Sequence, residues 1–231
     1  MLNKEKHKFI LINILKEIYS DSDLRYVLGF KGGTAALLFY DLPRLSVDLD
    51  FDLLDVEKLP IILEKMKKLL SEFGNMNEVR EKRYTLFFLL SYGKGERKVK
   101  VEISKRKTIS SFELKNYLGI PILVMKKEDM IAGKLSALIT RKKLASRDLF
   151  DLLFFLKQGW KINEEIVKEK TDLSLTRALN KTIKIVGKVP SNKILNGMGE
   201  LLEENQKQST RETLKDDLIF QIRLYKETKR Q

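Results

Sequence analysis

Nine residues, RLSVDLDFD at 44–52, alternate so strictly that an extended strand is the conformation that sorts them. Side chains two apart on a strand point to the same face. Asp48, Asp50 and Asp52 then share one side with Ser46, while Leu45, Val47, Leu49, Phe51 and Leu53 take the other. This is the pattern of a half-buried strand. Asp is a poor strand former, and like charges on one face repel. The chain carries 45 Lys and Arg against 32 Asp and Glu, a net charge of +13, yet no basic residue separates these carboxylates. Such a strand demands compensation.

At 231 residues with 43% hydrophobic content, the chain is long enough for one large domain or two smaller ones with a real core. No apolar run approaches the roughly 20 residues of a membrane helix. The start, MLNKEKHKFILINILKEI, lacks a small-residue cleavage site and is expected to be a surface helix of a cytoplasmic protein with no membrane partner. The absence of Cys excludes disulfides and thiolate zinc sites, and the single His7 argues against a His-based metal cluster or a Ser-His triad. Chemistry is left to carboxylates, Lys, Arg and hydroxyls.

Periodicity and punctuation predict a helix over 4–19, a short strand over 25–29, and a glycine turn opening a helix that Pro43 stops. The strand at 45–53 follows, then a helix near 56–73 and strands near 82–92 and 97–104. After Pro121 the pattern is helical to the end, with breaks near Gly159, Pro190 and Gln206. The expected fold is α+β: a mixed sheet flanked by helices over 1–124, followed by a helical C-terminal domain over 125–231.

A Gly-Gly turn at a helix N-terminus exposes bare backbone N–H groups to an anion, and the helix dipole favours negative charge there. Alone, Gly32–Gly33 reads as a tight turn. Its neighbour changes its meaning, because one short helix later a strand presents paired carboxylates. A nucleoside triphosphate needs both parts, a cradle for phosphates and acidic ligands for Mg2+. Mg2+ takes one or two carboxylates and completes its shell with water and phosphates, which suits Asp48 and Asp50. Bound divalent cations would also relieve the repulsion. A two-metal site uses a third carboxylate; Glu102 on VKVEIS is the candidate, with an ordinary exposed strand Glu as the alternative. The densest basic stretch, KGERKVKVEISKRK at 94–107, is either a solvated face or a polyanion footprint. Lys94, Arg97, Lys98, Lys105, Arg106 and Lys107 flank the strand that carries Glu102 and are the candidate nucleic-acid contacts.

The run KGGTAALLFYDLPRLSVDLDF resembles the signature of the nucleotidyltransferase toxins of the abortive-infection AbiEii/AbiGii class, within the polymerase-beta-like nucleotidyltransferase superfamily. Gly32, Gly33, Asp48 and Asp50 match the superfamily pattern, and Arg44, Ser46 and Asp48 match the class's Arg-x-Ser-x-Asp. A second block, MIAGKLSALITRKKLASRDLFDLLFFL, resembles the class's later Lys helix and Arg-Asp-x-x-Asp segment. Read without the family, Lys134, Arg141 and Asp148 are seven apart and share a stripe if the helix is continuous. Alternatively, Ser146 caps a new helix with Asp148 in its first turn.

The resemblance implies a nucleotidyltransferase-type fold and Mg2+-dependent transfer of an NMP from an NTP to an acceptor, with release of pyrophosphate. It implies a toxin of a toxin–antitoxin or abortive-infection system, with a cognate antitoxin encoded separately. It assigns Gly32, Gly33, Thr34, Arg44, Ser46 and Lys134 to the nucleotide, Asp48, Asp50 and Glu102 to metal, and Asp148 to completing the active site. RNA, as a tRNA 3′ end, is the acceptor that agrees with both resemblance and charge. The superfamily usually has Asp where this chain has Glu102. Asp148 is also readable as a helix-dipole placement beside Arg147, and Asp52 and Asp151 as structural. Two other functions stay open: transfer to a small-molecule or protein hydroxyl, and non-catalytic binding of nucleotide or nucleic acid. Intact Asp48, Asp50 and Lys134 argue against the last.

Overall fold

Asn3 accepts a hydrogen bond from the Lys6 N–H at 3.0 Å and opens helix α1 (Lys4–Ser20) in the computed structural model, which describes residues 3–229. Its side-chain carbonyl occupies one of the donors that a helix start leaves unpaired. The chain divides after Met125 into two units.

The first unit is built on a seven-stranded mixed sheet. In chain order it contains β1 (Leu28–Lys31), α2 (Gly32–Tyr40), β2 (Asp48–Leu53), α3 (Leu59–Ser71), β3 (Asn75–Lys82), β4 (Thr85–Ser91), β5 (Val99–Ser104), β6 (Phe112–Tyr117) and β7 (Ile120–Met125). The spatial order is β3-β4-β5-β2-β1-β7-β6. β2 runs parallel to β5 and β1 parallel to β7, and the other neighbours are antiparallel. One face of the central strands is apolar, with Leu49, Phe51, Val101, Ile103, Leu86 and Phe88 shut off from solvent. Helix α3 packs on β3 and β4, α1 on α3 and β7, and α2 on β1 and β2. Ile14, Ile18, Ile62 and Met66 from α1 and α3 are equally buried, so burial of these stripes, at about 1.5–3 kcal/mol per side chain, holds helices and sheet together. The other face of the central strands carries the polar row of β2 and its partners.

Seven strands form where four are expected from the sequence. β3, NMNEVREK, is a polar, largely exposed edge strand without the apolar alternation that marks β2. β6 and β7 form a hairpin through Leu118 and Gly119, both at positive φ, the backbone of a tight two-residue hairpin turn. Pro121 therefore sits near the start of a strand rather than at the start of a helix, a position where its missing N–H is tolerated. β2 begins at Asp48, not at residue 45. The residues before it turn away, with the Arg44 N–H bonded to the Leu42 carbonyl.

The second unit is helical: α4 (Lys127–Thr140), α5 (Ser146–Lys157), α6 (Glu164–Thr171), α7 (Leu175–Gly187) and α8 (Glu204–Thr228). α4 packs against α5, α6 and α7, and α8 against α5 and α7. Leu149, Leu152, Leu218 and Ile222 are fully buried, and Trp160 stacks on Phe155 with centroids 4.2 Å apart. Gln206, expected at a break, is part of a capping box with Glu203 that starts α8. Among the described residues no helix is long and apolar enough to cross a membrane.

Candidate active site

The strand period places Asp48 and Asp50 on one face, and the sheet order decides what lies beside them. Parallel β5 sets Lys100 opposite Asp48, Glu102 opposite Asp50 and Ser104 opposite Asp52. Antiparallel β1 sets Lys31 opposite Asp50. The compensation demanded by the acidic row therefore comes first from lysines of the two neighbouring strands. Lys31 reaches across to Asp52 at 2.5 Å, and Lys100 lies 3.0 Å from Asp48 and 3.5 Å from Glu102. Burial works against the Lys100 ammonium, but Asp48 and Glu102 outweigh it and hold its pKa above the usual lysine range.

Asp50 is left with the surplus charge. Burial pushes its carboxyl above the usual carboxylate range, and the charges of Asp48 and Glu102 push the same way, against Lys100 and Lys31. Gly32 packs directly on this group. It has a φ of +82°, and a Cβ there would meet Asp50 Oδ2 at 2.6 Å. Any other residue would combine a left-handed strain with a clash. At Gly33 a Cβ would meet Ser46 Oγ at 2.7 Å and Arg44 Nη2 at 2.9 Å, so Arg44 and Ser46, both buried, lie against the first turn of α2. Arg44 Nη1 donates to the Leu45 carbonyl at 2.9 Å. The buried Thr34 hydroxyl donates to the Asp48 carbonyl and so fixes the start of β2.

His7 supports the same strand from α1. Its Nε2 lies 3.0 Å from the Val47 carbonyl and its Nδ1 2.8 Å from the Tyr92 hydroxyl. A carbonyl only accepts, so Nε2 carries the proton and Nδ1 accepts from Tyr92. Burial, the dominant cause, lowers the His7 pKa and keeps the ring neutral in this arrangement.

The basic residues of 94–107 divide into two groups. Lys94, Arg97 and Lys98 precede β5, and Lys105, Arg106 and Lys107 follow it, about 20 Å apart across a six-residue strand. The structure does not bring them together as one patch.

In the second unit α4 ends at Thr140 and α5 begins at Ser146, which settles the helix question in favour of two helices with Asp148 in the first turn of the second. Ser146 does not cap it; its hydroxyl donates to the Lys193 carbonyl at 3.2 Å. Lys134 Nζ lies 2.9 Å from Asp148 Oδ1 and 2.7 Å from Asp151 Oδ2, and Arg141 Nη1 lies 2.6 Å from Asp148 Oδ2. Both carboxylates are buried. Removing one partner from so buried a network costs about 3–5 kcal/mol. Asp151, readable as structural from sequence, is a direct partner of Lys134. The Arg-Asp-x-x-Asp spacing was its signal, since residues three apart on a helix share a side.

Among the described residues, no three His, Cys, Asp or Glu side chains gather in metal-ligand arrangement, and Lys100 stands between Asp48 and Glu102. The donor chemistry nonetheless suits a hard divalent cation. Asp48 and Asp50 supply oxygen alone, and the surplus negative charge at Asp50 is what a cation with phosphate ligands would neutralise.

The family described as nucleotidyl transferase AbiEii toxin, type IV toxin–antitoxin system, matches residues 13–226. No curated protein matches. A candidate nucleotidyltransferase from Helicobacter pylori superposes with a TM-score of 0.63 at 22% identity, over 96% of this chain and 93% of its own. The Helicobacter pylori protein JHP933 superposes with a TM-score of 0.61 at 22% identity, over 97% and 93%. At that identity the likeness speaks for the fold.

Proposed function

Since the chain belongs to the AbiEii nucleotidyl transferase toxin family, we propose that it moves an NMP unit from an NTP to an RNA acceptor, a tRNA 3′ end, and releases pyrophosphate. The observation that carries this is the contact between the glycine turn and the acidic pair, where Gly32 lies against the Asp50 carboxylate with no room for a Cβ. The glycine turn that would cradle phosphate and the carboxylates that would hold its counter-cation are thus in direct contact. The N–H groups of Gly32 and Gly33 receive phosphate oxygens, and Arg44, held by the Leu45 carbonyl, presents its charge beside them.

Asp48 and Asp50 would hold Mg2+, which supplies charge neutralisation on the phosphates when bound. The acceptor hydroxyl oxygen forms a bond to the α-phosphorus, the α–β bridging bond breaks, and its electron pair leaves with pyrophosphate. The hydroxyl proton passes to the Glu102 carboxylate, which is in register with Asp50 on the neighbouring strand. Thr34 and His7 hold the backbone at Asp48 and Val47, which fixes the carboxylates before substrate arrives. Lys134 is assigned phosphate contact and Asp148 the orientation of its ammonium. Membership of a type IV family supports a separately encoded antitoxin as partner.

Incubating the protein with each labelled NTP, Mg2+ and total tRNA identifies the acceptor. Label in RNA is expected. Label in a small hydroxylated compound or in protein, with none in RNA, replaces RNA as the acceptor. Binding of NTP without turnover on any of these supports the non-catalytic function.

A further inference from the structure

The hairpin that joins β3 to β4 and the segment that leaves β5 finish side by side, tied by a hydrogen bond from the Lys105 N–H to the Tyr84 carbonyl at 2.9 Å. At this junction the Tyr84 ring, 42% exposed, carries two guanidinium groups, Arg83 at 4.9 Å and Arg106 at 4.7 Å from its centroid. Next to them Lys82 lies 4.5 Å from the Phe87 ring. Residues 81–84 and 104–108, EKRY and SKRKT, contain five basic side chains and one acid. That acid, Glu81, is taken up by Lys105 at 2.8 Å. The hairpin tip buries nothing that needs this cluster, since Arg83, Tyr84 and Arg106 are all exposed.

We propose that Arg83, Tyr84 and Arg106 form a stacking platform for unpaired nucleotides of the acceptor RNA, with Lys82 and Lys107 facing the phosphates. This rests on the RNA acceptor argued above. Aromatic rings and guanidinium planes stack on bases whatever their identity, and surrounding basic side chains follow the backbone charge. The position agrees. Glu102 is in register with Asp50, and Arg106 lies four residues further along the same chain, about 13 Å for extended backbone. Nucleotides trailing the reacting end would reach that far. Lys94, Arg97 and Lys98, at the opposite end of β5, take no part in the platform.

Anisotropy of a short labelled unpaired RNA against the full chain, over a range of salt, tests the platform. Tyr84→Ala should weaken binding about five- to hundredfold, and Tyr84→Phe should retain it. Lys82→Ser combined with Lys107→Ser should flatten the log–log salt slope by about 1.4. Wild-type RNA affinity in Tyr84→Ala, at an unchanged melting temperature, overturns the proposal. If that variant melts early, Arg106→Gln decides, and an unchanged affinity overturns it as well. Equal losses on fully paired RNA also count against it, because paired bases offer no free face. So does wild-type competition by an acidic peptide as strong as by RNA. If the wild-type chain neither binds nor labels RNA, the acceptor assignment itself has failed. Labelled RNA with an indifferent Tyr84→Ala condemns the platform alone.

Discussion

Asp50 is where the electrostatics of this chain and its chemistry meet. Lys31 serves Asp52, and Lys100 serves Asp48 and Glu102, so the carboxylate beside Gly32 keeps a charge that burial and its neighbours oppose. Neutralising it removes a cost in the folded state. Asp50→Asn should therefore melt at the wild-type temperature or above it, while transfer falls at least about a hundredfold. A lower melting temperature with intact turnover would return Asp50 to a structural role. The two lysines explain why half the compensation was invisible in sequence. Lys31 and Lys100 lie well before and well after the acidic run, and only the placement of β1 and β5 on either side of β2 makes them its neighbours. The carboxylates themselves were legible because alternation is written in consecutive residues.

Between elements, His7 joins α1 to the entry of β2. Its neighbours are the Val47 carbonyl and Tyr92, with Arg97, Asp48 and Glu96 contributing charge. A histidine whose folded pKa is lowered stays neutral in the native state while the unfolded chain takes up a proton near pH ~6.5. Below that point the unfolded state binds more protons, so stability falls as pH falls, by up to about 1.4 kcal/mol per pH unit, until the folded pKa is reached. His7 is the only histidine, so urea denaturation of wild type and His7→Gln at pH ~5 to 7 isolates it. The wild type should show the steeper decline, and identical profiles would remove the buried-neutral assignment. The same scale separates readable elements from unreadable ones. β2 and β5 announce themselves by alternation, and α2 by its glycines. β6 and β7 do not, because their turn uses Leu118 in a left-handed conformation where Gly or Asn is the usual signal, and because Pro121 suggests a helix start. β3 is polar on both sides at its end, and its place depends on pairing with β4 rather than on its own pattern.

At the scale of the molecule, the family match runs through both units. The acidic pair and glycine turn belong to the first, and the Lys134–Asp148–Asp151 network to the second. Both blocks could be found in the sequence because each is local. The spacing places Asp151 on the same side of α5 as Asp148, but its contact with Lys134 depends on how α4 and α5 pack. The basic residues of 94–107 are split between the two ends of β5 rather than gathered into one patch, so the net charge of +13 does not by itself locate an acceptor. The most direct test of NMP transfer follows the phosphates separately. Full-length protein is given Mg2+, total tRNA and one NTP labelled at either the α or the γ phosphate. The predicted result is α label on RNA, γ label in pyrophosphate, and neither with Asp48→Asn. γ label on the product, or α label released as free NMP at the same rate without RNA, would contradict it.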